Sequence, residues 1–455
     1  MPLKKVTQEA VATNSQIEDQ KKLNPDTGKP ATFSQGGLND ETVAGLENVP
    51  VTAAEANRLN ADTRKLEQAS EQKTRVVNTY GLVAPKPAEY MEGQLEVANL
   101  VAAKIWACVV EHEWYGFYTQ EELQECVNTA TRHDYKFLVE MYGYTDLDEA
   151  TDLCVLSLVD TIILGDNSYS MDSTDPVPVG RDGRPTDIAM SRWNLLNLLI
   201  KNYSFITTLF DTDGIQVELL NADQRLTSLF EGGRFMGLKD PVTGQYHDFS
   251  KCLSQPRLNP GNAGISAVSS QHQVEQIFKA ITTNGGTPMG EAIERIFSNA
   301  VRSKMQTGTL KKPTLLWVIT DGQPSGKDVL TVLRTIKAEF AGTKYGGHGM
   351  LFGFSQVGED VGAATFLKKM DEDEVKGRFG QPVVPNPGVG DIVDCTSSYE
   401  TELREVLVAN PGSTFYTPQR HNLKVMIGVM MKKYDQADET NVTSVFTRMK
   451  VGGFF

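Results

Sequence analysis

From residue 158 onward, short apolar runs rich in branched side chains alternate with stretches of helical period. This alternation constrains the fold more than any other feature. The runs fall at 159–164, 215–220, 315–319, 350–354 and 392–393. Helical spacing covers 188–209, 271–282, 289–303, 327–341, 360–370 and 399–408. Continuous apolar strands separated by helices imply a parallel sheet covered on both faces. The expected fold class is therefore α/β, a doubly wound, mainly parallel sheet flanked by helices, over 158–410. Residues 231–266 break the rhythm with Gly, Pro and Asn, and read as an insertion carrying an edge hairpin.

The flanks have other grammars. In 1–85, Phe33 and Tyr80 are the only aromatics. So polar a segment buries too little apolar area to offset its own ordering entropy, and reads as a largely extended or disordered arm. Thr52 and Glu55 fit a capping box that opens a polar helix reaching about Arg75. Residues 86–157 read as a helical region packing on the core, with Ala98, Val101, Ala102, Ile105, Cys108 and Val109 at helical spacing. Thr119 and Glu122 form a second capping box, and a third helix is expected from 146 to 156. The segment 411–455 holds a last helix, 422–434, whose Met426, Met430 and Met431 read as core packing.

Composition removes several function classes. Of 455 residues, 44 are Lys or Arg and 58 are Asp or Glu, giving a net charge of −14. Such a surface repels phosphate backbones and anionic bilayers, so nucleic acid is not an expected partner. No apolar run reaches the 18 residues of a membrane span, and no secretory leader is visible at Met1, so a cytoplasmic protein is expected. Five dispersed cysteines without a CxxC argue against a disulfide framework or structural zinc. His112-Glu113 lacks the second His of a zincin, and Ser325-Gly326-Lys327 lacks the upstream Gly of a phosphate-binding loop.

Chemistry concentrates at three separated points. Asp166-Asn167-Ser168-Tyr169-Ser170-Met171 follows the first apolar run, Gly285-Gly286-Thr287-Pro288 enters a helix, and Thr320-Asp321-Gly322 follows the 315–319 run. In a doubly wound sheet, loops at the carboxyl ends of the strands converge where strand order reverses. Asp166, Ser168, Ser170, Thr287 and Asp321 would then meet as two carboxylates and three hydroxyls. Hard oxygen donors without sulfur or imidazole select a hard cation, and few charges with room for water favour Mg²⁺. Each segment alone is ordinary turn or cap chemistry. All three, each at a strand or helix end, point to one site.

These segments resemble the von Willebrand factor A (VWA) domain with its metal-ion-dependent adhesion site: DxSxS, then Thr, then Asp. The likeness covers about 158–410. Gly-Gly-Thr-Pro-Met-Gly, Val-Ile-Thr-Asp-Gly-Gln-Pro-Ser and Asp-Ile-Val-Asp look most like intracellular members common in fungi. The resemblance implies that Ser168, Ser170 and Thr287 ligate Mg²⁺, with Mn²⁺ or Ca²⁺ as substitutes, and that Asp166 and Asp321 act largely through water. Tyr169 stands where many members have Gly, although integrin β subunits share a DxSYSM loop. Ser173 and Thr174 stand where those subunits carry the acids of a second metal site. The 172–186 loop is long enough to cover the metal.

The function expected is Mg²⁺-dependent protein–protein interaction, in which a protein partner or another copy of the chain supplies Asp or Glu. An alternative is a self-assembling structural protein with a VWA core as scaffold and the metal incidental. A Mg²⁺-dependent phosphohydrolase is disfavoured: Ser168 stands where its second Asp is needed, only Lys327 is a candidate phosphate lysine, and no His lies in the loops. No catalytic residue or organic cofactor is expected.

Overall fold

The structure, a computed structural model, describes residues 94–144, 146–176, 189–250, 252–371, 389–409 and 417–435. The arm 1–85, the polar helix expected after Thr52 and residues 177–188 of the long loop lie outside them. Seven strands form the central sheet: β1 (Asp160–Gly165), β2 (Ile215–Leu219), β3 (Arg257–Leu258), β4 (Gly264–Val268), β5 (Thr314–Thr320), β6 (Met350–Gln356) and β7 (Val393–Thr396). Their spatial order is β7-β6-β5-β1-β2-β4-β3. The first five in that order are parallel, and β4 and β3 close one edge antiparallel. Every residue of β5 and β6 is buried, which is why both read as unbroken apolar runs.

The edge hairpin expected within 231–266 is β3 with β4, which pair antiparallel at the border of the main sheet, β4 running on past 266 to Val268; a separate small hairpin pairs Phe230–Glu231 with Arg234–Phe235. β4 is short and polar in part, and Ala267 holds a φ of 60°, so alternation did not mark it.

Helical crossovers between parallel strands set the layers. The chain leaves β1 through α5 (Arg192–Phe210) to β2, then returns past β1 and runs the other way through β5, α8 (Val329–Ala341) and β6. Helix α6 (Gln271–Ala280) packs on α5, with Trp193 and Phe278 rings 4.7 Å apart. Helix α7 (Met289–Ile296) continues through a wide turn, Phe297–Arg302, and packs on α8, with Phe297 and Phe340 rings 6.0 Å apart. α9 (Val361–Asp371) packs on β7 and β6, and α10 (Tyr399–Ala409) follows β7 in the chain.

The first four helices, α1 (Gln94–Glu111), α2 (Gln120–Ala130), α3 (Tyr135–Tyr142) and α4 (Leu147–Asp152), bury their apolar faces against this body. The Thr119–Glu122 capping box that opens α2 is formed in both directions. Trp114 Nε1 donates to the His348 carbonyl at 2.7 Å, and Phe117 packs on Tyr345 at 4.6 Å. The last long helix, α11 (Pro418–Ile427), lies over β6. There Trp317 Nε1 donates to the Met426 carbonyl at 3.2 Å, and Met426 and Met430 are fully buried. Tyr434 joins the two flanks through a 2.5 Å hydrogen bond to Asp152.

Candidate metal centre

Strand order reverses at β1, so the loops leaving β1 and β5 open side by side. The register pairs Gly165 with Ile319, and the Asp166 amide still donates to the Ile319 carbonyl at 2.9 Å. Asp166 and Asp321 therefore emerge at the same level, 0% and 1% exposed. Asp166 is a fixed acceptor: Ser168 N donates to Oδ1 at 2.8 Å and Thr320 Oγ1 to Oδ2 at 2.6 Å. Burial pushes its carboxyl above the ordinary range, the hydrogen bonds from Ser168 and Thr320 oppose that, and the nearby Asp321 charge adds to it.

The hydroxyls follow in a chain. Ser168 Oγ lies 2.9 Å from Ser170 Oγ, and Ser170 Oγ donates to Asp321 Oδ1 at 2.7 Å. Thr287 faces the same gap: a Cβ placed on Gly322 would lie 3.7 Å from Thr287 Oγ1 and 4.0 Å from Ser170 Oγ. Its loop is tied in by Tyr169 N to the Gly285 carbonyl at 3.2 Å and by Ser325 N to the Thr287 carbonyl at 2.8 Å. All five residues singled out in the sequence thus sit on one edge, with Ser168, Ser170 and Asp321 in direct contact.

The donor set fits a small hard cation. Neighbouring ligands of an octahedral ion with bonds of 2.0–2.1 Å stand about 2.9 Å apart. Ser168 and Ser170 have that spacing, which is also that of an ordinary hydroxyl hydrogen bond. A hydroxyl that ligates through a lone pair keeps its proton, so the Ser170 bond to Asp321 is compatible with a bound ion. Ser168, Ser170 and Thr287 would hold it, and the two aspartates would balance its charge. The Ser173 and Thr174 positions add no carboxylate.

Several contributors were not among the ligand candidates. Thr320 orients Asp166. Asn167 and Asn221 clasp each other, Nδ2 to carbonyl at 2.9 Å and amide to Oδ1 at 2.8 Å. Arg192, at the start of α5, donates through Nη1 to Asp321 Oδ2 at 2.9 Å. Lys327, the lysine a phosphohydrolase would need, pairs with Glu294.

No protein-family model matches the chain, and no curated protein matches it significantly. Among solved structures it is similar to proximal thread matrix protein 1 from the mussel byssus, at 13% identity and a TM-score of 0.29. That match covers 60% of this chain and 47% of the mussel protein, so it spans less than half of that structure's length. No helix among the described residues is long and apolar enough to cross a membrane.

Proposed function

We propose that this is a VWA-type binding protein in which Ser168, Ser170 and Thr287 hold one Mg²⁺-sized ion that captures an Asp or Glu carboxylate from a protein partner or a second copy. The observation that carries this reading is the continuous chain Ser168–Ser170–Asp321 with Thr287 facing it, built from three loops at the strand-order reversal. A divalent ion held by neutral hydroxyls keeps most of its charge for an incoming carboxylate, and its field outweighs that of nearby side chains. Tyr169, 67% exposed, stands beside the site as a ring for the partner to pack on. The role is recognition and not catalysis, since the site holds no His to move a proton and Lys327 is engaged by Glu294.

Size-exclusion chromatography in Mg²⁺, in EDTA and at raised NaCl, on wild type and Thr287→Ala, tests it. Complexes or self-association should depend on the divalent ion and on Thr287, and respond weakly to NaCl, because exposed ion pairs are screened beyond about 8 Å. Association that survives EDTA and the Thr287 change but collapses in salt would sink the proposal in favour of scaffold-type assembly.

A further inference from the structure

Arg192 is forked between two carboxylates. Nη1 reaches Asp321 Oδ2 at 2.9 Å, while Nε and Nη2 reach Asp175 Oδ2 and Oδ1 at 2.5 and 3.3 Å. The guanidinium side chain is 15% exposed, Asp321 is fully enclosed and Asp175 is 30% exposed. Asp175 sits in a short hairpin, Thr174–Pro176 with Ala189–Ser191, that leads straight into α5. Backbone after β6 closes over the pair. Gly358 has a φ of 75°, and a Cβ there would fall 2.4 Å from Arg192 Nε and 2.7 Å from Asp175 Oδ2. Asp321 is therefore shared, one oxygen taking the Ser170 hydroxyl and the other a permanent cation.

We infer that Arg192 is a built-in competitor of the divalent ion for Asp321, and that Asp175 sets how strongly it competes. The inference rests on the metal reading above. A guanidinium stays charged at any accessible pH, so its repulsion of a second cation cannot be titrated away. The enclosed site screens that repulsion weakly. Asp175, gripping the guanidinium along two bonds, draws its charge away from Asp321 and leaves more of that carboxylate for the ion. Loss of the Asp175 charge leaves Asp321 as the one carboxylate among the described residues that Arg192 touches, and the competition strengthens. The two substitutions therefore act in opposite directions. An arginine that merely oriented Asp321 would make both act downward. Because Asp175 is the accessible member, a basic partner group bound to it from solvent weakens the metal through Arg192.

The test is calorimetric titration of Mg²⁺ and Mn²⁺ into the full chain. Arg192→Gln should bind about tenfold more tightly than wild type, and Asp175→Asn about threefold more weakly. The double variant Arg192→Gln/Asp175→Asn keeps the local charge balanced, and should bind at least as tightly as wild type even if the single Arg192 change folds poorly. Weaker binding in both Arg192→Gln and the double variant, or affinities that do not change, would overturn the inference. No binding by wild type or any variant would instead bring down the metal site, and this inference with it.

Discussion

Strand β1 has an aspartate at each end, and the two behave differently. At its start, Asp160 meets Asp211 and Asp213, with oxygens from all three within 4.8 Å of one another. Lys312 Nζ lies 3.1 Å from Asp211 Oδ1. Burial pushes the Asp211 carboxyl up to about 8, and its hydrogen bond to Asp213 holds the latter below the ordinary range. That cluster carries its own proton and its own ammonium. Just past the other end, Asp166 and Asp321 accept from hydroxyls of Thr320 and Ser170. Both ends contain a fixed cation, so charge does not separate them. The difference is the neutral hydroxyl oxygens: the upper end offers ligands with free lone pairs, whereas the lower end satisfies acids with acids and a lysine.

The largest effect should come from breaking the lower end. Lys312→Met removes the ammonium beside the buried Asp211 and, above about pH 8 where that carboxyl is ionised, should cost about 3 kcal/mol in urea unfolding. A loss under about 1 kcal/mol would show that the cluster is not self-neutralised. Next in size is the ion itself. Mg²⁺ at a hundred times its dissociation constant should stabilise wild type by about 2.7 kcal/mol, read as a rise in melting temperature. Ser168→Ala/Ser170→Ala should erase that gain and Asp213→Asn should keep it. The reverse pattern would move the ion to the lower end.

The pH dependence separates the ends a third way. Asp211 titrates near 8 in the folded chain, against 3.8 for the ordinary group. Between those values the native state holds a proton that the unfolded state has released. The Asp211 contribution is therefore fully present below about pH 4 and is lost as pH rises toward 8, by at most about 1.4 kcal/mol per pH unit. Asp213 is shifted down and acts only in acid. From pH 6 to 8, Asp211→Asn should remove about 2 kcal/mol of this slope, measured by urea unfolding at each pH. Equal slopes in the two proteins would mean that Asp211 is ionised throughout.

What the sequence could reveal follows the same division. β5 and β6 were legible because burial on both faces leaves an unbroken apolar signature, and Asp166, Ser168, Ser170, Thr287 and Asp321 because their loops have compact local patterns. β4 was not, since five residues with two small polar or glycine positions look like loop. α5 begins at Arg192, later than its periodicity suggested, because 189–191 pairs instead as a strand with 174–176. The lower cluster and the Arg192 fork were invisible for one physical reason. Lys312 and Asp211 are 101 positions apart and Arg192 and Asp321 are 129 apart, so only the folded sheet makes them neighbours.

The smallest expected effect tests whether the upper end depends on support that the lower end lacks. Asn221, just after β2, donates through Nδ2 to the carbonyls of Asn284 at 2.8 Å and Gly286 at 2.7 Å, while its amide donates to Asn167 Oδ1. One residue thus links the Asp166 loop, through its backbone, to the Thr287 loop, through its side chain. Gly285, at a φ of 72°, lies so close that a Cβ would stand 2.6 Å from Asn221 Oδ1. Asn221→Ala frees two carbonyls near the surface, where water replaces much of what is lost, so stability should fall by only about 1 kcal/mol. Metal affinity should fall further in proportion, by about tenfold, because groups that orient ligands act through geometry and not through bulk stability. Mg²⁺ calorimetry beside urea unfolding reads both quantities on one preparation. If stability falls while Mg²⁺ affinity holds, the 284–287 loop does not position Thr287, and the site must be read as two loops instead of three.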